Sequence, residues 1–323
     1  MARPDYIYAA ARVRSKELLC FSAATLEQLM ACKTYEECLR TLNEKGWGNG
    51  EPNQTAESLL TEERDKTWSQ LRELVEDVHA FDVALCANDY HNLKAAVKEN
   101  CTENPPAGIF QTNCTVDPEL IRNAVREGDF SKLPEDMAKT AAEALHTLRT
   151  TGDGQLCDVI VDRAALTATI EAAKREKCPL ISFYAEHTVA SANMKTAVRC
   201  CKTGKSRDFV LRALAPCDTL DCEKMADAVV EGMDSLFAYL AEAGYGEAVE
   251  ALKVSASAFE RWCDNRLMRE IQPQKYHTST IEPLFAWLLA RENEIKTVRV
   301  ILSGKRNALS DDAIRERLRE MYV

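Results

Sequence analysis

The chain has no Cys-x-x-Cys pair, no His-Glu-x-x-His and no two histidines four residues apart. Its closest cysteines are Cys200 with Cys201, Cys217 with Cys222, and Cys32 with Cys38. None has the short paired spacing of a structural zinc site, so neither a metal nor a cofactor is expected. Long apolar runs are missing too. The longest clean one is Leu284 to Ala290, far short of the ~20 residues that a membrane-spanning helix needs. Glycine and proline are scarce, at 12 and 10 residues, which favours long helices over tight turns. Acids outnumber bases 51 to 41, and the net charge of −10 opposes nucleic acid and anionic lipid.

Thirteen cysteines in 323 residues fall well below the ~8–10% of a disulfide scaffold. The opening Met1 to Tyr6 carries no apolar signal core. The expectation is a cytoplasmic protein with reduced, mostly buried thiols. Sequons at Asn53, Asn100 and Asn113 would be silent there.

What is present repeats. Leu93-Lys94-Ala95-Ala96-Val97-Lys98, Met194-Lys195-Thr196-Ala197-Val198-Arg199 and Ile295-Lys296-Thr297-Val298-Arg299 follow one another at intervals of 101 residues. Asn92 and Asn193 precede the first two, and Glu294 takes that place in the third. A second pattern alternates with these markers. It is a capping residue, an early acid, and apolar residues four and eight positions after the cap. It occurs at Thr34 (Cys38, Leu42), Asp117 (Ile121, Val125), Asp221 (Met225, Val229) and Ser310 (Ile314, Leu318). The cap oxygen takes an orphan N–H of the first turn, and acids there favour the positive end of the helix dipole. Thr34 with Glu37 forms a capping box, and Pro118 sits at the first helical position. The alternation implies one helical unit used three times.

The coarse reading is all-α. Helices are expected over Tyr6 to Met30, Thr34 to Asn43, within Thr61 to Lys98, and over Asp136 to Arg149. Val159-Ile160-Val161 allows a strand, but the pattern continues as a helix to Lys177, ended by Pro179. Further helices are expected over Leu180 to Lys202, Met225 to Ala243, Glu247 to Ile271, Ile281 to Leu302 and Ser310 to Tyr322. Loops are read at Asn49 to Asn53, Thr102 to Gly108 and Ala215 to Asp218, and breaks at Gly244 to Gly246, Pro273 and Gly304.

Thr203-Gly204-Lys205-Ser206 looks like the end of a phosphate-binding loop. That motif needs a glycine five residues before the Gly-Lys pair, and Arg199 stands there instead. A helix-ending turn is the better reading. Lys94, Lys195 and Lys296 occupy equivalent marker positions, either as solvated helix charges or as related contact points for an acidic partner.

The run from Glu292-Asn293-Glu294-Ile295-Lys296 through Ile301-Leu302-Ser303-Gly304-Lys305 to Ile314-Arg315-Glu316-Arg317-Leu318-Arg319 resembles the closing segment of a known family. That family is the C subunit of bacterial and archaeal V-type ATPases/ATP synthases, the counterpart of the eukaryotic d subunit. Tyr8-Ala9-Ala10-Ala11-Arg12-Val13-Arg14 is similar to its opening helix, and Asp89-Tyr90-His91-Asn92-Leu93-Lys94 also agrees. Both ends carry the resemblance, and the middle agrees by length and repeat order.

The resemblance implies three similar helical domains, 1–113, 114–216 and 217–323, in a pseudo-threefold funnel. It implies a non-catalytic socket on the cytoplasmic face, between the membrane rotor ring and the central stalk, that passes torque for coupled ion transport. Catalytic residues are then absent. Contact candidates are Arg12, Arg14, Asn92, Lys94, Asn193, Lys195, Glu294, Lys296, Arg299, Lys305 and Arg315. The competing reading is a free-standing helical adaptor or scaffold, or a helical enzyme with an unrecognised pocket lined by ionisable groups.

Overall fold

A computed structural model describes residues 6–51, 54–102 and 108–323, and among them every regular element is a helix. The first four are α1 (Ile7–Glu17), α2 (Ala23–Ala31), α3 (Tyr35–Glu44) and α4 (Ala56–Leu74). A 3-10 turn, His79–Ala84, precedes α5 (Cys86–Asn100), α6 (Pro118–Glu127), α7 (Glu135–Thr151) and α8 (Gly154–Glu176). Then come α9 (Pro179–Lys202), α10 (Arg207–Ala213), α11 (Cys222–Glu231) and α12 (Met233–Leu240). The last are α13 (Gly246–Val254), α14 (Ala256–Ile271), α15 (Glu282–Arg306) and α16 (Asp311–Arg315). The fold class is all-α.

The chain forms two compact units. One is made of residues 1–78 and 247–323, the other of residues 79–246. In the first, α15 is the hub and packs against α1, α2, α3, α4, α14 and α16. Its residues Leu284 to Ala290 are all buried, which explains why that stretch reads apolar all round instead of amphipathic. Its later turns supply Ile295, Val298, Ile301 and Leu302 to a core shared with Leu29, Met30, Cys38, Leu42, Leu59 and Leu60. In the second unit α8 is the hub, against α5, α7, α9 and α10. Its core joins Leu93, Val97, Ile121, Val125, Ala141 and Val161.

All four caps form. Thr34 Oγ1 accepts from Glu37 N–H at 3.1 Å, Asp117 Oδ1 from Glu119 at 2.9 Å, Asp221 Oδ1 from Glu223 at 2.9 Å and Ser310 Oγ from Ala313 at 3.2 Å. The residues four positions after each cap, Cys38, Ile121, Met225 and Ile314, are fully buried. Val159 to Val161 lie inside α8, as the helical reading expects.

Several expected helices are shorter. Tyr6 to Met30 splits because Phe21 is buried, stacked on Trp47 at 4.9 Å, and Ser22 Oγ caps α2 at Thr25 N–H. Thr61 to Lys98 splits after Leu74, although it contains no glycine or proline. Met225 to Ala243 breaks at Gly232, whose φ of 129° suits only glycine. Glu247 to Ile271 breaks at Ser255, which caps α14 through Ala258 N–H at 3.0 Å. The helix expected from Ser310 to Tyr322 ends at Arg315. Pro179 is the first residue of α9, two residues beyond Lys177, the left-handed C-cap of α8. The loop at 49–53 and the boundary at 102–108 fall partly outside the described residues.

Gly304 is no break. It lies inside α15, and the side chain of Ile314 fills the space beside it. A Cβ there would sit 2.5 Å from Ile314 Cγ1. The glycine serves close packing of α16 on α15, not a turn.

Candidate functional site

The two markers of the second unit do the same structural job. Asn92 on α5 is buried, and its Nδ2 donates to the Gln111 carbonyl at 3.0 Å while Gln111 N–H donates to its Oδ1 at 2.7 Å. Asn193 on α9 holds the Ala215 peptide the same way, at 2.7 and 3.0 Å. Each clamped peptide lies six residues before the next helix cap, Asp117 or Asp221. A carboxylate on the same long helix holds the segment between. Asp89 accepts from Thr115 N–H and Oγ1 and from Val116 N–H at 2.7–3.1 Å. Glu186 accepts from Asp218 N–H and from Thr219 N–H and Oγ1 at 2.6–3.0 Å. The buried Ala215 backbone is thereby satisfied, the more exposed loop backbone around it is held, and the cap that follows is placed.

The third copy departs from this pattern. The clamping residue is Asn293, not the position aligned by sequence. Its Nδ2 donates to the Glu320 carbonyl at 2.9 Å. Glu320 N–H is taken by Asn265 Oδ1 on α14 at 2.9 Å. The Oδ1 of Asn293 is buried and has no hydrogen-bond partner among the described residues.

Glu294 is buried beside it. Its Oε1 accepts from Arg291 Nη1 at 2.7 Å, while Arg291 Nη2 reaches Glu63 Oε2 at 2.7 Å. Arg291 lies over the Trp47 ring at 5.1 Å, and Glu63 also binds Lys66 Nζ and Gly48 N–H. Burial pushes the Glu294 carboxyl above the usual range, and Arg291 pulls it back only partly.

Asn92, Asn193 and Glu294, named above as contact candidates, face inward and are buried in this chain. Their polar groups are engaged by the chain's own backbone or by Arg291. The expected lysines stay at the surface, with partners of their own. Lys94 pairs with Asp162 and lies 3.9 Å from Asp158 on α8. Lys296 pairs with Asp264 on α14 at 3.1 Å. Burial raises the Asp264 carboxyl, but Lys296 and Arg319 outweigh it and hold the group below the ordinary range. Lys195 is exposed on α9.

Arg299 makes two bonds to Glu57, at 2.7 and 3.2 Å, and Arg315 pairs with Glu27. Lys305 is nearly buried between the Met30 carbonyl, at 2.7 Å, and Asp311, at 2.9 Å. It places a cation at the C-terminal end of α2, where the helix dipole favours one. Arg14 binds Glu17 and the carbonyls of Gln274 and His277 at 2.5–2.8 Å. Arg12 is exposed on α1, and its guanidinium has no partner among the described residues.

A cleft of about 800 Å³ in the second unit is lined by Tyr90, Asp136, Arg163, Glu171 and Arg175. Cys86 in its wall has its thiol pushed up to about 12 by burial, which keeps it un-ionised and a poor nucleophile. Of the thirteen cysteines, six are buried, six half-buried and one, Cys101, exposed, and none is in a disulfide. No helix among the described residues is long and apolar enough to cross a membrane.

The described helices run from α1 to α16, and the match to known proteins covers nearly the same length. The family described as ATP synthase (C/AC39) subunit matches residues 9–317. The chain belongs to that family. A protein of Enterococcus hirae, described as the C subunit of a V-type sodium ATPase, is 22% identical over 317 residues, which cover 96% of this chain and 97% of that protein.

In this member of the C/AC39 family, sequence reasoning missed Asn293, Asp89, Glu186, Glu63 and Arg291. Two of these had a readable signal. Thr115-Val116-Asp117-x-Glu119 recurs as Thr219-Leu220-Asp221-x-Glu223, and each holds the threonine bound by Asp89 or Glu186. Glu63 and Arg291 lie 228 residues apart, and no local pattern connects them.

Proposed function

We propose that the chain is a non-catalytic central-rotor subunit of a V-type ATPase/ATP synthase. It is a socket between the membrane rotor ring and the central stalk, on the cytoplasmic face, and transmits torque for coupled ion transport. The observation that carries this reading is the family match over residues 9–317, together with the end-to-end correspondence to the Enterococcus hirae protein. A threefold repeat, 1–113, 114–216 and 217–323 in a pseudo-threefold funnel, belongs to the same proposal. The recurring asparagine on a long helix, closing on a later backbone peptide at Gln111, Ala215 and Glu320, supports it.

Torque transmission needs a part that does not yield under load. Packed helices with bonded loops meet that need, because close-packed interiors are poorly compressible. Partner contacts fall to surface residues, among them Arg12, Lys94, Lys195, Lys296, Arg299 and Arg315. The test is to purify a tagged chain from gently solubilised native membranes and identify what comes with it. Ring and stalk proteins in stoichiometric amounts are expected. Recovery of the chain alone, or with unrelated soluble proteins, refutes the assignment. Reversing charge at Lys94, Lys195 and Lys296 together is expected to weaken co-sedimentation with ring-containing membranes while the chain stays folded.

A further inference from the structure

We propose that the outward face of α1 and the turn after it form a docking surface for a protein partner. That partner presents an apolar patch edged with carboxylates. The inference rests on the reading of the chain as part of a membrane-bound complex, and it names the surface and its complement. Nine large hydrophobic side chains are exposed among the described residues, and four of them, Ile7, Tyr8, Leu18 and Leu19, lie within thirteen consecutive positions. Tyr8 is 70% exposed, Leu18 85% and Leu19 76%. Such clustering marks an interaction site, whereas single exposed apolar residues do not.

The helix is built to present this face. Ala9, Ala10, Val13 and Glu17 turn inward, and α1 packs on α15. At 100° per residue, Tyr8, Ala11, Arg12 and Ser15 fall on the opposite side, and all four are exposed. Arg12 and Lys16 have no ion-pair partner among the described residues. Glu17, the one acid of α1, is buried and bound by Arg14 and by the Tyr322 hydroxyl at 3.0 Å. On a chain of net charge −10, this is an apolar face with unpaired positive charge, and carboxylates complement it.

The same charges decide against other occupants. Anionic lipid is held by clusters of about 4–8 basic residues. Here α1 offers two unpaired cations among the described residues, on an acidic protein. A second copy in twofold association would bring Arg12 and Lys16 against themselves.

The test uses the full chain, as wild type, as the triple variant Tyr8→Ser/Leu18→Ser/Leu19→Ser, and as Arg12→Glu. Each is titrated against complex-bearing membranes stripped of peripheral proteins and against protein-free phosphatidylglycerol vesicles. Each is also run alone in sedimentation velocity. Circular dichroism and urea midpoints should not change, because the altered side chains are exposed. The triple variant is expected to lose about 30-fold or more in binding to the membranes, and Arg12→Glu about 5-fold. Vesicles are expected to bind neither, and the chain to sediment as a monomer. Undiminished binding by the folded triple variant overturns the proposal. So does wild-type binding to vesicles as tight as to membranes, or self-association abolished by the triple variant. Wild type that ignores the stripped membranes altogether refutes the parent assignment, a result distinct from all of these.

Discussion

Asn193 holds both backbone groups of one residue, Ala215. Its Nδ2 donates to the Ala215 carbonyl at 2.7 Å, and Ala215 N–H donates back to its Oδ1 at 3.0 Å. Both residues are buried, so the two bonds replace water completely. Asn193→Ala leaves the buried Ala215 N–H unpaired and its C=O with only the weak Cys222 thiol donor, at a cost of about 2–3 kcal/mol. Asn92→Ala should cost somewhat less, about 1–3 kcal/mol, because Gln111 is only half-buried. Asn293→Ala should cost less, about 1–2 kcal/mol, because one bond is lost and an unmet buried oxygen is removed with it. Urea unfolding of the three variants gives the order, and equal losses would contradict the asymmetry of the third copy.

Gly304 should resist even alanine. The new methyl would sit 2.5 and 2.6 Å from two carbons of Ile314. Helix propensity gains about 1 kcal/mol from the change, while overpacking costs about 1–3 kcal/mol, so a net loss is expected. In an Ile314→Ala background the clash is absent, and the same substitution should stabilise. A double-mutant cycle without that change of sign would mean that the close approach has no energetic consequence.

Glu294 makes stability fall as pH rises. Its folded pKa lies above the ordinary value of 4.5, because burial penalises the carboxylate more than Arg291 rewards it. The folded state therefore binds this proton more tightly than the unfolded state does. The resulting stabilisation is full below 4.5 and is lost as pH climbs through the raised value. Glu294→Gln should flatten that part of the stability-against-pH curve. An unchanged slope in denaturation series over this range would exclude Glu294 as its source.

Asp264 works in the opposite sense. Burial raises it, but Lys296 and Arg319 prevail and leave it below its ordinary value of 3.8. Its contribution is present above 3.8 and is lost as pH falls through the lower folded value. Asp264→Asn should be less stable at neutral pH and less sensitive to acid below about pH 4. Acid unfolding identical to wild type would show that the bonds to Lys296 and Arg319 carry no net stability.

The helix caps were legible in the sequence because their chemistry is local. Thr34, Asp117, Asp221 and Ser310 each bond an N–H two or three residues ahead, and the apolar residue one turn on is buried. The helix ends at Glu17, Leu74 and Arg315 were not legible. Nothing in the residues there opposes a further turn as glycine or proline would. The stops after α1 and α16 follow from where Phe21 and the segment Glu316–Val323 must lie.

The three lysine markers recur at equal spacing in the sequence, and the lysines themselves lie toward the surface, away from the backbone clamps. The clamps are the asparagines before them, and in the third copy the clamp is one residue earlier, at Asn293. A match that scores Lys94, Lys195 and Lys296 at equal spacing cannot detect this shift. Adjacent helix positions point 100° apart, and only the packing of α15 decides which of Asn293 and Glu294 meets the Glu320 peptide.

The sequence by itself determined the all-α class, the four capped starts and membership of the family. These depend on composition and on hydrogen bonds that close within one turn. Tertiary structure alone decided which polar residues are interior. Asn92, Asn193 and Glu294 look like Arg12 or Lys195 in a linear reading, as helix-borne groups able to meet a partner. Burial sorts them, because their partners Gln111, Ala215 and Phe21 are loop or turn backbone, and Arg291 must also satisfy Glu63, brought in by α4. A buried polar group is stable only where such a partner is delivered, and delivery is a property of the whole packed unit.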